Sequence, residues 1–387
     1  MFDRVSIGEI PEEIEWFEAM TRNEMIYLNH AGTSWPKPEA VLEVADNVYQ
    51  QGPAAWPNLF AEAHGEIADF FHVDKSRLLL TPSCTTALNL AMTDHLWQPG
   101  DRVLTTCFEH HALWRNLEHL EHRGVQVVTV PPNEAEMVDL ERLRTELEND
   151  RTRLVAMTAA CNVTGWLLPI RDVLELSQHA NVPVLLDGAQ IAGWWDLDLA
   201  ELGVDLFTFA GHKGLQAPWG VGGLYVAPSH SMVCSNASCE IAVDADESPM
   251  PGYCDAGSAN LGAVVGLSTA CRWLGDESRK DRLEKAQATA AEVSKGIRHL
   301  STIRIHHDVA PHAKMPTVAF SHQRLSAATI TARLASAGII ASAGIQCAPQ
   351  AHQQLGTGRN GVVRLSFGPD HEEQVSRILD KLVVAMQ

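Results

Sequence analysis

The chain has no excess of positive charge. Its 387 residues carry 29 Lys and Arg against 48 Asp and Glu, a formal net charge of -19. Nucleic acids and anionic membranes reward a basic face, so the balance argues against both as partners and reads as solubility. Long apolar runs are also missing: nothing approaches the ~20 residues that a membrane span needs. The opening residues, "MFDRVSIGEIPEEIEWFEAM", are acidic and lack the apolar core of an export signal. There is no internal repeat and no low-complexity tract. The eight cysteines form no dense framework; in a cytoplasmic chain, which is the expectation here, they read as reduced thiols. Cys234 and Cys239 do not match a usual zinc spacing and read as structural.

What is present is an apolar fraction of 45%, enough for one large core and a smaller domain. From about Arg77, strand-like runs alternate with longer helical patterns. The runs are "RLLLT", "RVLTT", "VQVVTV", "RLVAMTAA", "VPVLLD", "VDLFTFA" and "GGLYVA". Strands without polar alternation, most of them separated by helices, predict a mostly parallel sheet buried on both faces, an α/β doubly wound domain. After about Pro249 the pattern changes. A Gly/Ser-rich stretch, "PGYCDAGSANLGAVVG", leads to a long helix and then to short strands with two further helices. That predicts a smaller C-terminal α+β domain. The expected divisions are 1–20, an N-terminal segment near the small domain; 21–255, the large domain; and 256–387, the small one.

Ligands of such sheets gather beyond the carboxyl ends of the strands. "PSCTTALN" follows the first run, and Ser83, Thr85 and Thr86 there either cap a helix or offer hydroxyls and free N–H groups to a phosphate. "CFEHHALW" follows the second and carries Glu109, His110 and His111. "CNVTGW" brings Asn162. "DGAQ" brings Asp187 and Gln190, and "GHKG" brings His212 and Lys213. Each alone has an ordinary explanation; Asp187 could merely cap a turn. As a set they match the needs of pyridoxal phosphate. Its aldehyde needs a lysine amine, held as a Schiff base. Its ring nitrogen needs a buried carboxylate to stay protonated as an electron sink. Its ring hydroxyl, ring face and phosphate need an amide, a flat partner and a helix start. Glycines beside Lys213 let the backbone come close.

At these residues, "EHH", "CNVTG", "DGAQ" and "GHK" in that order, the chain resembles the class V aminotransferase-like family. Specifically, it resembles the cysteine desulfurase and selenocysteine lyase branch of the fold type I pyridoxal-phosphate enzymes. The similarity runs from "YLNHAGTSWPKPEAV" to "VVRLSFGPDHEE". It implies a mostly parallel seven-stranded sheet domain with a smaller C-terminal α+β domain. It implies Lys213 as the Schiff-base lysine, Asp187 at the pyridine nitrogen, and Asn162 and Gln190 at the ring hydroxyl. His110 would stack on the ring and move protons. Thr85, the backbone near Cys84, and His212 would hold the phosphate, and Arg364 would clamp the substrate carboxylate. Ser258 occupies the place of a threonine that reaches the phosphate of the other subunit, which implies a homodimer.

Cys347, in "AGIQCAPQAHQQLG", matches the cysteine that takes sulfur from L-cysteine as a persulfide and leaves alanine. That chemistry needs a thiolate with access to the site; the plainer reading is a small apolar filler. A protein that accepts the sulfur is an implied partner. Three departures stand out. Ala210 replaces a serine, removing one phosphate hydroxyl. Ser342 replaces an arginine ahead of the cysteine loop. Trp56 and Pro57 occupy a glycine-rich loop and predict a more apolar pocket. A C–S lyase, a selenocysteine lyase, an aminotransferase and a non-catalytic scaffold of the same fold are the alternatives. A metal site at His110 and His111 is disfavoured, because adjacent residues of a helix face different ways.

Overall fold

The computed structural model describes residues 25–93, 95–133, 137–230, 258–306 and 310–387. Cys234, Cys239 and the expected N-terminal segment 1–20 lie outside them. The strands are β1 (Ile26–Tyr27), β2 (Leu78–Thr81), β3 (Arg102–Thr106), β4 (Gln126–Val130), β5 (Thr152–Thr158), β6 (Val184–Asp187), β7 (Leu206–Ala210) and β8 (Gly222–Val226). They continue with β9 (Ile303–His306), β10 (Thr317–His322), β11 (Ile339–Ile340), β12 (Ser342–Gly344) and β13 (Val362–Ser366).

All seven apolar runs join one sheet, in the order β2-β8-β7-β6-β5-β3-β4. Only β8 runs against its neighbours. Every residue of β3, β6, β7 and β8 is buried, the burial that the missing alternation predicts. Edge strand β4 departs most, with Gln126 and Thr129 exposed, and β5 exposes Arg153 at its start. Neighbouring residues point to opposite faces. Val103, Leu154 and Leu185 pack with the helices Cys84–Thr93 and His111–His122. Leu104, Val155 and Leu186 pack on the other side, against a core that includes the helices Trp56–Phe70 and Ile170–His179. The helix Leu261–Asp276 joins this second core and packs on Glu39–Asn47 and Trp56–Phe70.

The C-terminal strands form a four-stranded antiparallel sheet, β12-β13-β10-β9. Its core joins Val318, Phe320 and Leu365 to residues of the helices Arg279–Arg298, Ala327–Ser336 and Val375–Met386. β1 pairs in parallel with β11, and Asn29 bridges to Ser366 beside it. The segment after β1 therefore crosses from the small sheet to the tips of the large one.

Phe71 anchors the second core. It is 0% exposed, and its ring lies 4.8 Å from Phe209 and 6.2 Å from Phe207, centroid to centroid. Phe71→Ala is expected to cost about 3–5 kcal/mol in urea unfolding, the transfer term plus the cavity left behind. A loss below about 1 kcal/mol would mean that the three rings do not pack as one unit.

Candidate active site

A cavity of about 400 Å³ opens at the carboxyl ends of the large sheet. Asp187 ends β6; His110, Asn162 and Lys213 follow β3, β5 and β7; Cys347 and Arg364 arrive from the small sheet. Cys84, Thr85, Gln190 and His212 also line it. The structure thus brings together the residues to which the resemblance assigns a task, apart from Ser258, which is exposed and outside this cavity; Thr86, Glu109 and His111 lie beside the lining residues without joining them.

Asp187 is 4% exposed. Its Oδ1 accepts from Ala189 N at 3.0 Å and from the Cys84 thiol at 3.5 Å. Burial and then the Asp187 charge push the Cys84 thiol well up, which keeps it a donor. Burial pushes the Lys213 amine below the ordinary lysine value, against the pull of Asp187. Lys213 is thereby biased toward the neutral amine that bonds an aldehyde. Its turn is possible because Gly214 has no side chain: a Cβ there would lie 2.4 Å from the Ala192 carbonyl oxygen.

His110 caps the helix His111–His122, its Nδ1 accepting from Ala112 N at 3.1 Å. In the neutral ring that bond leaves the proton on Nε2. Burial lowers its pKa to about 4, with Lys213 adding to the fall, so the ring is neutral near pH 7. His212 is lowered to about 4 by burial and by Lys213. Arg364 is 4% exposed. It donates from Nη1 to the Asn162 carbonyl and from Nη2 to Asn29 Oδ1, both at 2.8 Å, and its Nε has no partner. Among the described residues it has no carboxylate partner.

At the start of the helix Cys84–Thr93, the Ser83 hydroxyl accepts from Thr86 N at 3.2 Å and pairs with the Thr86 hydroxyl at 3.1 Å. Those two side chains cap the helix, while Thr85 lines the cavity. Gln190 spends its amide on the Ala31 carbonyl, at 3.1 Å. Ala210 and Ser342 line the cavity as expected. Trp56 does not, and the prediction of an apolar pocket from it is corrected. Its indole N–H is held by the Gln51 carbonyl at 2.9 Å and its ring packs edge-on against Tyr49, 5.6 Å away.

Sequence reasoning assigned no role to Asn29, Lys37 or Gln346. The segment 29–37 borders the site because its partners lie more than 150 residues away, and spacing carries no signal of such contacts.

The residues present fit pyridoxal phosphate. Buried polar atoms that lack partners, Asn162 Oδ1, His212 Nδ1 and Arg364 Nε, belong to residues lining one cavity, and buried polar groups are normally paired. Behind the helix start there is no room to spare: a Cβ on Gly222 would lie 2.7 Å from Cys84 N. That helix start therefore sits tight against the sheet, and its residues Ser83, Cys84 and Thr85 line the cavity, where a helix N-terminus suits a phosphate.

Fold and site define an α/β protein of the type that holds a pyridoxal cofactor across the strand tips of its large sheet. Comparison with known proteins is specific. The family model of aminotransferase class-V matches residues 26–378, and the chain belongs to that family. A probable cysteine desulfurase of Pseudomonas aeruginosa is 29% identical over 384 residues, covering 91% of each chain. The cysteine desulfurase CsdA of Escherichia coli is 29% identical over 370 residues, covering 89% of each. The solved structure of CsdA superposes with a TM-score of 0.83 at 25% identity, over 96% of this chain and 98% of that one. A variant of C-DES with glycine covalently linked to its PLP cofactor superposes at 0.77, with 22% identity, over 94% and 99%.

Glu109, just before His110, is 1% exposed. Thr106 donates to its Oε1 at 2.5 Å and its Oε2 has no partner. Burial raises its pKa from 4.5 to about 8, with Asp187 adding to the rise against the Thr106 hydroxyl. The folded protein therefore keeps a proton that the unfolded chain releases. The stability this carries is complete below pH 4.5 and lost as pH rises through about 8. Thermal unfolding of cofactor-free Glu109→Gln should show the variant gaining on wild type across that window. A constant difference between the two would mean that the carboxyl does not titrate there.

Proposed function

We propose that the protein is a pyridoxal-phosphate-dependent cysteine desulfurase, converting L-cysteine to L-alanine with a persulfide on Cys347. The observation that carries this is the placement of Cys347, an exposed free thiol, in the same cavity as Lys213, Asp187 and Arg364. Lys213 would hold the cofactor covalently, with Asp187 at its ring nitrogen, His110 on its ring, and Asn162 and Gln190 at its hydroxyl. Cys84, Thr85 and His212 would hold its phosphate. When bound, the pyridoxal ring supplies an electron sink for charge at the substrate's α-carbon.

Arg364, a buried guanidinium without an anion, takes the substrate carboxylate. Lys213, biased toward its neutral form, removes the proton from the α-carbon through Nζ. His110, neutral with its proton on Nε2, is placed to hand a proton on rather than to add charge. Cys347 Sγ attacks the substrate sulfur: an S–S bond forms, the Cβ–S bond breaks, and its electron pair stays with carbon. L-Cysteine and the thiol become alanine and the persulfide, so atoms balance. A second protein then accepts the sulfur. The reading extends to a homodimer in which exposed Ser258 reaches the partner's phosphate site, and to a cytoplasmic protein with reduced thiols. It keeps the division into 21–255 and 256–387, supported by the seven-stranded and four-stranded sheets on either side, although β1 pairs with β11 across it and Leu261–Asp276 packs on helices of the first part.

Mass spectrometry of the carbon product tests the reaction. Wild type given L-cysteine and a reductant should yield alanine, and Cys347→Ser should lose nearly all turnover. Pyruvate in place of alanine, made equally by Cys347→Ser, would replace the reading with β-elimination. Lys213→Ala should lack the yellow absorbance of the lysine-bound cofactor. An unchanged spectrum would remove Lys213 from its role.

A further inference from the structure

The backbone that carries Cys347 is strained and tied down. Gln346 and Cys347 have φ of 41° and 58°, values that cost side-chain-bearing residues free energy and persist where the surroundings hold them. Two bonds do the holding. Asn162 Nδ2 donates to the Gln346 carbonyl, and His111 N to the Cys347 carbonyl, both at 2.7 Å. The Gln346 side chain is also tethered, donating to the Val362 carbonyl at 3.2 Å.

Asn162 has a second face. The amide orientation is set by its partner, since a carbonyl accepts only from the NH2 group. Oδ1 is therefore the other terminus; it is buried, and it has no partner. The residue is 7% exposed and lines the cofactor cavity. Its main-chain carbonyl accepts from Arg364. One residue thus touches the group read as the substrate clamp, the open cofactor space and the loop of the nucleophile. The terminal torsion of an Asn side chain is soft. With the cavity open, the bond to Gln346 is made by a side chain free to rock; with the cavity filled against it, the amide plane is fixed.

We propose that Asn162 is the positioning residue for the Cys347 thiol: Nδ2 straps the Gln346–Cys347 peptide to the cavity wall, a cofactor filling the cavity packs against the other face of the amide, and filling the cavity thereby fixes where the nucleophile sits. The proposal rests on the cofactor reading above. It makes the order of events physical: the thiol is set in place before substrate arrives.

The test is the rate of iodoacetamide alkylation at Cys347, read by peptide mass spectrometry so that other thiols do not count. It is measured on cofactor-loaded and cofactor-stripped protein, with loading followed by visible absorbance. In wild type, loading should slow alkylation about tenfold, the scale of one well-made hydrogen bond. Asn162→Asp keeps an acceptor toward the cavity and turns an oxygen toward the Gln346 carbonyl. It should lose most of that slowing while still binding cofactor, and its stripped form should alkylate faster than stripped wild type. Equal slowing in variant and wild type, no slowing in wild type, or equal rates in the two stripped proteins would each overturn the proposal. If Asn162→Asp does not load, the comparison of stripped proteins decides. If wild type gains no absorbance with pyridoxal phosphate, the cofactor reading fails, separately from the strap.

Discussion

The carbonyl oxygen of His212 is the most heavily bonded acceptor near the site. It accepts from Ser34 N at 3.0 Å, Thr33 Oγ1 at 3.0 Å, Ser34 Oγ at 3.2 Å and Lys37 Nζ at 2.7 Å. The next carbonyl, that of Lys213, accepts from Ser34 Oγ at 2.8 Å. A reactive amine on a four-carbon stem is only as well placed as the backbone beneath it. The clamp fixes that backbone, and it does so from the segment that also contacts Arg364 through Asn29 and Gln190 through Ala31. Burial lowers the Lys37 pKa to about 7, so the strongest arm of the clamp is charged or neutral according to pH, and a charged donor bonds more strongly.

Above this base, the electrostatics of the cavity are set by burial more than by pairing. Lys213, His110, His212 and Arg364 are all shifted toward their neutral forms, and burial is the largest cause in each. For the lysine, Asp187 works against it most strongly, with Cys84 and Cys347 adding smaller pulls. Asp187 ends β6, and Lys213 follows the adjacent parallel strand β7. A sheet buried on both faces is what allows a carboxylate and an amine to stand close in so little water.

Much of this was legible from sequence because it lies on periodic elements. Seven apolar runs marked seven strands, and Asp187, Asn162, His110 and Lys213 stood out as polar residues where those runs stop. The family resemblance then named their tasks. Other features left no local trace. β1 is two residues long, too short for any alternation, so the approach of Asn29 to Lys37 could not be read. Trp56 was legible as an aromatic in a Gly/Pro loop, but its direction depends on Tyr49 and Gln51, which only the fold brings beside it. The composition shift near Pro249 was visible; that Leu261–Asp276 folds back onto Glu39–Asn47 and Trp56–Phe70 was not, because its apolar surface does not say which helices it meets.

The pairing of β1 with β11, and of Ala31 with Ser366 across 335 residues, has a consequence for biosynthesis. The large sheet holds nearly all of its contacts within residues 78–226 and can form while the rest of the chain is still being made. The segment that clamps Lys213 cannot be seated in its final place until β11 and β13 emerge to receive its near end. Contacts of such separation form late. A nascent chain therefore carries a folded sheet and an unbraced Lys213 from the emergence of β8 until that of β13, and the backbone beneath the amine is fixed only then.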